Sequence, residues 1–161
     1  MRWAEGMRGR ERPYAIEDLV VEQENLRQLD DGLYSVLPDH ERGAPYDAYA
    51  AIYDRMVSSQ SYLRIAWGVS SVDASDFVTR AFSSRDTGWV VDVAAGSCVE
   101  SVSTYLETGR PTVVLDRSLG MLGKGLERLR SAAGGRPENV FFLQADAGAL
   151  PIRSASVSTV L

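Results

Sequence analysis

"WVVDVAAGSCVES", residues 89–101, is the stretch on which the reading of this chain turns. An apolar run ends at an acid, Asp92, and gives way to small residues before a helical pattern begins. A short β-branched run bounded by small residues reads as a buried strand, and the segment behind it as a tight strand-to-helix turn. Gly96 can adopt a positive φ, while Ala94, Ala95 and Ser97 leave room above the main chain. Such a loop lets a ligand approach the backbone, beside the N–H groups that open the next helix.

The same unit recurs downstream. "TVVLD" (112–116) and "VFFLQAD" (140–146) read as second and third strands, and "SVSTVL" (156–161) begins a fourth. Between them, "CVESVSTYLETG" (98–109) is a short helix with Val99, Val102 and Leu106 facing inward. "SLGMLGKGLERLRSAAGG" (118–135) is a longer one, capped by Ser118, with Leu119, Leu122, Leu126 and Leu129 on one stripe. Strands alternating with helices predict parallel pairing and right-handed crossovers, hence an α/β fold with a Rossmann-like doubly wound parallel sheet of about four strands. Gly120, Gly123 and Gly125 each cost that helix ~1 kcal/mol relative to alanine. They mark either close packing or a weak helix.

Upstream, the pattern is different. Residues 1–45 are poorly patterned: "AIEDLVVEQENLRQLDDGLYSVL" (15–37) offers a weak helix, a turn at "DDG" and a short strand candidate, "LYSVL". "PDHERGAP" (38–45) is a linker, and its His40 reads as a solvated loop residue. In residues 46–67 Tyr46, Tyr49, Tyr53, Met56 and Val57 recur at helical steps, with Pro45 placed to open the helix. "DASDFVTRAFSS" (73–84) is a further helix, capped by Asp73 or Ser75, with Phe77, Val78, Ala81 and Phe82 on one face. The first 85 residues thus read as mostly helical. The chain divides into a poorly patterned segment (1–45), a helical cap (46–86) and a Rossmann-like half-domain (87–161).

The 161 residues suffice for one domain with a sizeable core. A net charge of −5 argues against an electrostatic grip on nucleic acid or an anionic membrane. The single cysteine, Cys98, excludes an internal disulfide and any multi-cysteine metal site, and no metal is expected. The polar N-terminus lacks the apolar core of a signal peptide, and no apolar run approaches the ~20 residues of a membrane span. The expected location is cytoplasmic.

Three strands end at or near an acid: Asp92, Asp116 and Asp146. One such acid is explained by capping of the following helix. Three at the same edge would surround one cleft, because open α/β sheets bind ligands at the carboxyl ends of their strands. Asp116, 24 residues after Asp92, is placed to accept from both hydroxyls of a ribose. Asp146 could accept from the exocyclic amine of a base. Together they specify a nucleoside joined to something small and charged.

Residues 46–161 resemble the front portion of a class I S-adenosylmethionine-dependent methyltransferase. "VVDVAAGSC" (90–98) is similar to that family's glycine-rich first motif, and "VVLDRSLGML" (113–122) to its second. "VFFLQADAGALPIRSASVSTVL" (140–161) resembles the third region, and "YDAYAAIYD" (46–54) the aromatic-acid helix that folds over the cofactor. The resemblance implies S-adenosyl-L-methionine as cofactor. Gly96 and the backbone of Ala94 and Ala95 would line its methionine part, and Asp92 would order the loop or reach the amino group. Asp116 would hold the ribose, with Arg117 beside the adenine. Asp146 would accept from the adenine amine, and the Ala147 N–H would meet a ring nitrogen. Tyr46 and Tyr53 would close over the methionine end, ordinary amphipathic packing being their other reading. Two departures stand out: the family often has glycine at the positions of Ala94 and Cys98. Cys98 opens a helix whose dipole would lower its pKa, although a buried, inert thiol is the simpler reading.

A complete domain of this family has about seven strands, and this sequence stops inside its fourth. The chain is therefore expected to be a fragment, inactive alone, of a methyltransferase acting on a small-molecule acceptor, with the catalytic residues unassigned. The alternative is a non-catalytic binding or interaction module that self-associates through the exposed edge of the fourth strand. A nicotinamide-dependent oxidoreductase fits less well, because residues 94–99 read "AAGSCV" where that fingerprint needs G-x-G-x-x-G.

Overall fold

The computed structural model describes residues 14–41, 43, 47–68, 70–83 and 87–161. Pro45 and Tyr46 lie outside the described residues. Six strands form one sheet: β1 (Arg27–Asp30), β2 (Leu33–Ser35), β3 (Trp89–Val93), β4 (Thr112–Asp116), β5 (Val140–Gln144) and β6 (Val157–Val160), in the order β1-β2-β5-β4-β3-β6. The four strands read from the sequence are parallel neighbours at the centre and one edge. The chain steps outward from β3 to β4 and β5, then returns to the far side of β3 as β6. That reversal beside β3 is where a doubly wound sheet opens a crevice.

One expectation is corrected. The sheet has six described strands rather than about four, and it is mixed. The residues before β3 are mostly in helices and helical turns, as expected, but they also supply two strands. β1 and β2 form an antiparallel hairpin around the turn read at "DDG", and β2, within the strand candidate 33–37, runs parallel to β5, with Tyr34 opposite Leu143 and Ser35 opposite Gln144. All four residues of β1 are exposed, so the strand has no period-2 apolar signature to read. Tyr34 is buried on Phe141, and the Ser35 hydroxyl donates to Gln144 Oε1 at 2.9 Å, which fixes the register.

The parallel strands are buried on both faces, as their near-continuous apolar runs require. On one face Val90, Val114, Val140 and Phe142 pack under the helices α3 (Ser71–Phe82), α4 (Val102–Thr108) and α5 (Leu119–Ala133). On the other, Val91, Val113, Leu115, Phe141 and Leu143 are covered by the N-terminal segment through Ile16, Leu19 and Val20. Each fully buried side chain of this size contributes about 1.5–3 kcal/mol. Arg110, itself buried, ties β6 down: its guanidinium donates to the Gly88 carbonyl, Ser158 Oγ and Thr159 Oγ1 at 2.8–3.1 Å.

Helix α3 is capped by Ser70, whose hydroxyl accepts from the Asp73 N–H while the Asp73 carboxylate accepts from the Ser70 N–H. This capping box replaces the expected caps Asp73 and Ser75. Residues 47–67 do not form one helix. They give a single 3-10 turn (Asp47–Tyr49), α1 (Ala50–Val57), a short α2 (Gln60–Tyr62) and a π-turn (Leu63–Trp67). Among the described residues no helix is long and apolar enough to cross a membrane.

The α5 glycines divide by position. A Cβ on Gly125 would lie 2.9 Å from the Phe142 ring and 3.2 Å from Cys98 Sγ, whereas one on Gly123 meets nothing within 4 Å. Gly123→Ala should therefore stabilise the chain by about 1 kcal/mol through helix propensity. Gly125→Ala should destabilise it despite the same gain, since overpacking costs roughly 1–3 kcal/mol. Urea unfolding of the two variants checks both signs.

Candidate functional site

The loop after β3 alternates conformation. Ala94, Gly96 and Cys98 take φ of 57°, 56° and 56°, the left-handed region, with Ala95 and Ser97 between them. This is the backbone that a G-x-G-x-G motif makes without strain, and here two of its three positions carry a Cβ. Each non-glycine residue held so costs about 1–2 kcal/mol. Ala94 is exposed, so Ala94→Gly loses little packing. It should raise stability by a few tenths to about 1 kcal/mol, after the added unfolded-state entropy of glycine is subtracted. A lower urea midpoint for this variant would show that Ala94 is not strained. Cys98 is different, because its thiol is buried against Gly125. Burial pushes that thiol's pKa well up, with the Asp92 charge adding to the effect, so the helix-start activation considered from the sequence does not operate.

Asp116 closes the loop from the side. Its Oδ2 accepts from the Gly96 N–H at 2.9 Å and its Oδ1 from the Ser118 N–H at 2.8 Å. The carboxylate therefore joins β4, the glycine loop and the start of α5, with lone pairs still available on each oxygen. Asp146 caps the 3-10 turn Ala147–Ala149 by accepting from the Gly148 N–H at 2.8 Å. Its second oxygen accepts from Arg117 Nη1 at 2.7 Å. Both partners are about half exposed, so this pair is screened and weak.

These residues line a cavity of about 480 Å³, together with Tyr53, Ala94, Gly96, Leu115, Met121 and Ala147. A second cavity of about 250 Å³ shares Tyr53, Ala94, Gly96 and Met121 with it and extends past Ala95 and Ser97 to Glu100. Burial raises the Glu100 carboxyl above its ordinary value. The Ser97 hydroxyl is buried and has no hydrogen-bond partner among the described residues.

Of the three aspartates read at the strand ends, the structure brings Asp116 and Asp146 to this cavity. Asp92 is not among its lining residues. The register explains the difference: Asp92 pairs with Val114 and Asp116 with Gln144, so each acid sits two residues further along the sheet than the one before it. Two residues of strand are about 6.6 Å. Asp92 lies deepest, buried beneath the loop, where it accepts a hydrogen bond from the Tyr105 hydroxyl of α4. Burial raises its carboxyl above the ordinary range, and the Tyr105 hydrogen bond partly offsets that. Tyr46 lies outside the described residues.

Three organising residues were not read from the sequence. Asp47 Oδ1 accepts from the Ser118 hydroxyl and, at 3.0 Å, from the Gly120 N–H at the start of α5. Asp54 pairs with Arg128, whose Nη2 donates to both carboxylate oxygens at 3.1 and 3.3 Å. The two acids stand seven residues apart in "YDAYAAIYD", two helical turns and therefore one face, and that spacing was the available signal. Among the described residues no group of three or more His, Cys, Asp or Glu side chains is arranged to hold a metal ion.

No family model and no curated protein matches the chain. Solved structures do. One is a provisionally assigned S-adenosyl-L-methionine-dependent methyltransferase of Methanococcus maripaludis, with a TM-score of 0.53 at 15% identity over 71% of this chain. Another is the geranyl diphosphate C-methyltransferase of Streptomyces coelicolor A3(2), with a TM-score of 0.48 at 15% identity over 76% of this chain and 41% of that one. The chain spans about half the length of the archaeal structure, 48%. Its fold is that of the class I S-adenosylmethionine-dependent methyltransferases.

Proposed function

We propose that this chain is the cofactor-binding portion of an S-adenosyl-L-methionine-dependent methyltransferase acting on a small-molecule acceptor. The observation that carries the reading is the cavity. It lies at the carboxyl ends of the central strands, with the left-handed loop 94–98 on one side and the carboxylates of Asp116 and Asp146 on the other. Its volume is within the ~300–1,000 Å³ of small-molecule sites. The donor set also suits an adenosyl group. Asp116 keeps acceptor capacity for a pair of vicinal hydroxyls, and Asp146 can accept from an exocyclic amine once Arg117 shifts aside or stacks on the base. The loop carries no side chain larger than methyl over its exposed backbone at Ala94 and Gly96.

The cofactor, when bound, would supply an electrophilic sulfonium methyl group for transfer to the acceptor's nucleophile, with the thioether as leaving group. The residues of this chain bind and orient. Gly96 and Ala94 let the main chain approach, Asp116 fixes the sugar, Asp146 and Ala147 recognise the base, and Tyr53 on α1 covers the loop. Asp92 acts from below, holding α4 under the loop through Tyr105. The smaller cavity beside Ser97 and Glu100 continues from the first and would receive the remainder of the cofactor. The net charge of −5 favours a small acceptor over a polyanion.

Calorimetric titration with S-adenosylhomocysteine tests the reading. Saturable binding at one site is expected. A folded sample that gives no heat of binding and no shift in melting temperature at millimolar ligand would refute it.

A further inference from the structure

Helix α1 is seated on the site by polar contacts rather than by a buried apolar face. Of its residues only Ala50 is buried, while Ile52, Tyr53 and Met56 are largely exposed. An amphipathic helix normally docks through its apolar stripe. Here two acids make the contacts: Asp47, in the 3-10 turn that leads into α1, holds the start of α5, and Asp54 of α1 itself pairs with Arg128 further along that helix.

Arg128 makes a second contact. Its Nη1 donates to the Ser97 carbonyl, in the loop between left-handed Gly96 and Cys98. One guanidinium thus grips the glycine loop with one arm and, with the other, the residue next to Tyr53. The arginine side chain is 30% exposed and that of Asp54 only 16%, so the pair is partly withdrawn from screening water. Gly125, one turn earlier on α5, has no Cβ and lets the helix approach Ser97 and Cys98 closely enough for this reach. A lysine, with a single compact charge, would not serve two acceptors in this fork.

We propose that Arg128 is a positioning residue that couples α1 to the glycine loop, so that Tyr53 and the Gly96 backbone are held as one unit around the cavity. Arg128 lines neither the main cavity nor its extension past the loop, so it acts through Tyr53 and Ser97. The inference rests on the reading of that cavity as the cofactor site.

The test compares the full chain with its Arg128→Lys, Asp54→Asn and doubly substituted forms. In the ligand-free protein, Arg128→Lys should raise amide hydrogen exchange about tenfold in both 50–57 and 96–101, leaving β4 and β5 at their original protection. Asp54→Asn should raise it in 50–57 alone. S-Adenosylhomocysteine should bind about tenfold more weakly to Arg128→Lys, and the double variant should be no weaker, because both changes break one bracket. Unchanged exchange in either segment of Arg128→Lys, unchanged affinity, or additive losses in the double variant would each overturn the proposal. Should Arg128→Lys fail to fold, Asp54→Asn decides: unaltered exchange in α1 together with unaltered affinity rejects the coupling. A parent chain that binds no S-adenosylhomocysteine refutes the cofactor reading instead, and the exchange data still decide whether Arg128 joins the two elements.

Discussion

Asp116→Ala should weaken S-adenosylhomocysteine binding about fivefold to 150-fold, the loss of ~1–3 kcal/mol that accompanies removal of a charged acceptor from a hydrogen-bonded site. The effect has two sources. The carboxylate would no longer meet the sugar, and the N–H groups of Gly96 and Ser118 would lose their acceptor, freeing the loop that faces the cofactor. Comparison with Asp116→Asn separates them. Asparagine retains one acceptor oxygen for Ser118 but turns an N–H₂ toward Gly96 or the ligand. The asparagine variant should therefore keep more of the fold's stability than alanine while still losing most of the affinity. Calorimetry and urea unfolding on the same samples read both quantities. If alanine leaves the affinity within twofold, Asp116 does not hold the ligand, whatever happens to stability.

Tyr105→Phe carries the largest expected loss of stability. Tyr105 is fully buried, and its hydroxyl is the donor to the buried Asp92 carboxylate. Removing it should cost about 1.5–3 kcal/mol at neutral pH, the value of a hydrogen bond to a charged group. The pH dependence gives an independent check. Because burial raises the folded-state Asp92 carboxyl above its ordinary value of 3.8, the native chain binds the extra proton more tightly than the unfolded one. The stability linked to this group is therefore fully present below pH 3.8 and falls as the pH rises through the folded-state value. Asp92→Asn removes the titration and still offers an acceptor to Tyr105. It should match the parent below pH 3.8 and become progressively more stable than the parent as the pH rises. In that background Tyr105→Phe should cost less than in the parent. Urea unfolding between pH 3 and 8 measures all four proteins. An Asp92→Asn curve parallel to the parent across this range would show that the carboxyl is not perturbed.

The parallel core was legible because buried strands spell themselves in β-branched and aromatic runs, and because Gly96 with its small neighbours marks a tight strand-to-helix turn. The hairpin was only half legible: its turn at "DDG" and the strand within "LYSVL" were read, but β1 was not, since it is exposed along its whole length. Helix α1 misled for a physical reason. Its aromatic spacing, Tyr49, Tyr53 and Met56, suggests a buried stripe, yet Tyr49, Tyr53 and Met56 are 64%, 43% and 40% exposed. The face that docks is built from Ala50 and two aspartates, which composition marks as solvent-facing. Asp92 shows the remaining gap. Its residue type and its place near a strand end are plain, but its depth depends on the pairing of β3 with β4, and register across a crossover is written in no local pattern.

The pairing of β2 with β5 has a consequence for how the chain is made. Ser35 meets Gln144 across 109 residues. At ~5–20 residues added per second, the hairpin emerges from the ribosome roughly 5–20 s before the strand that receives it. During that interval β2 has no parallel partner, and its burial beside β5 waits for the last of the central strands to be made.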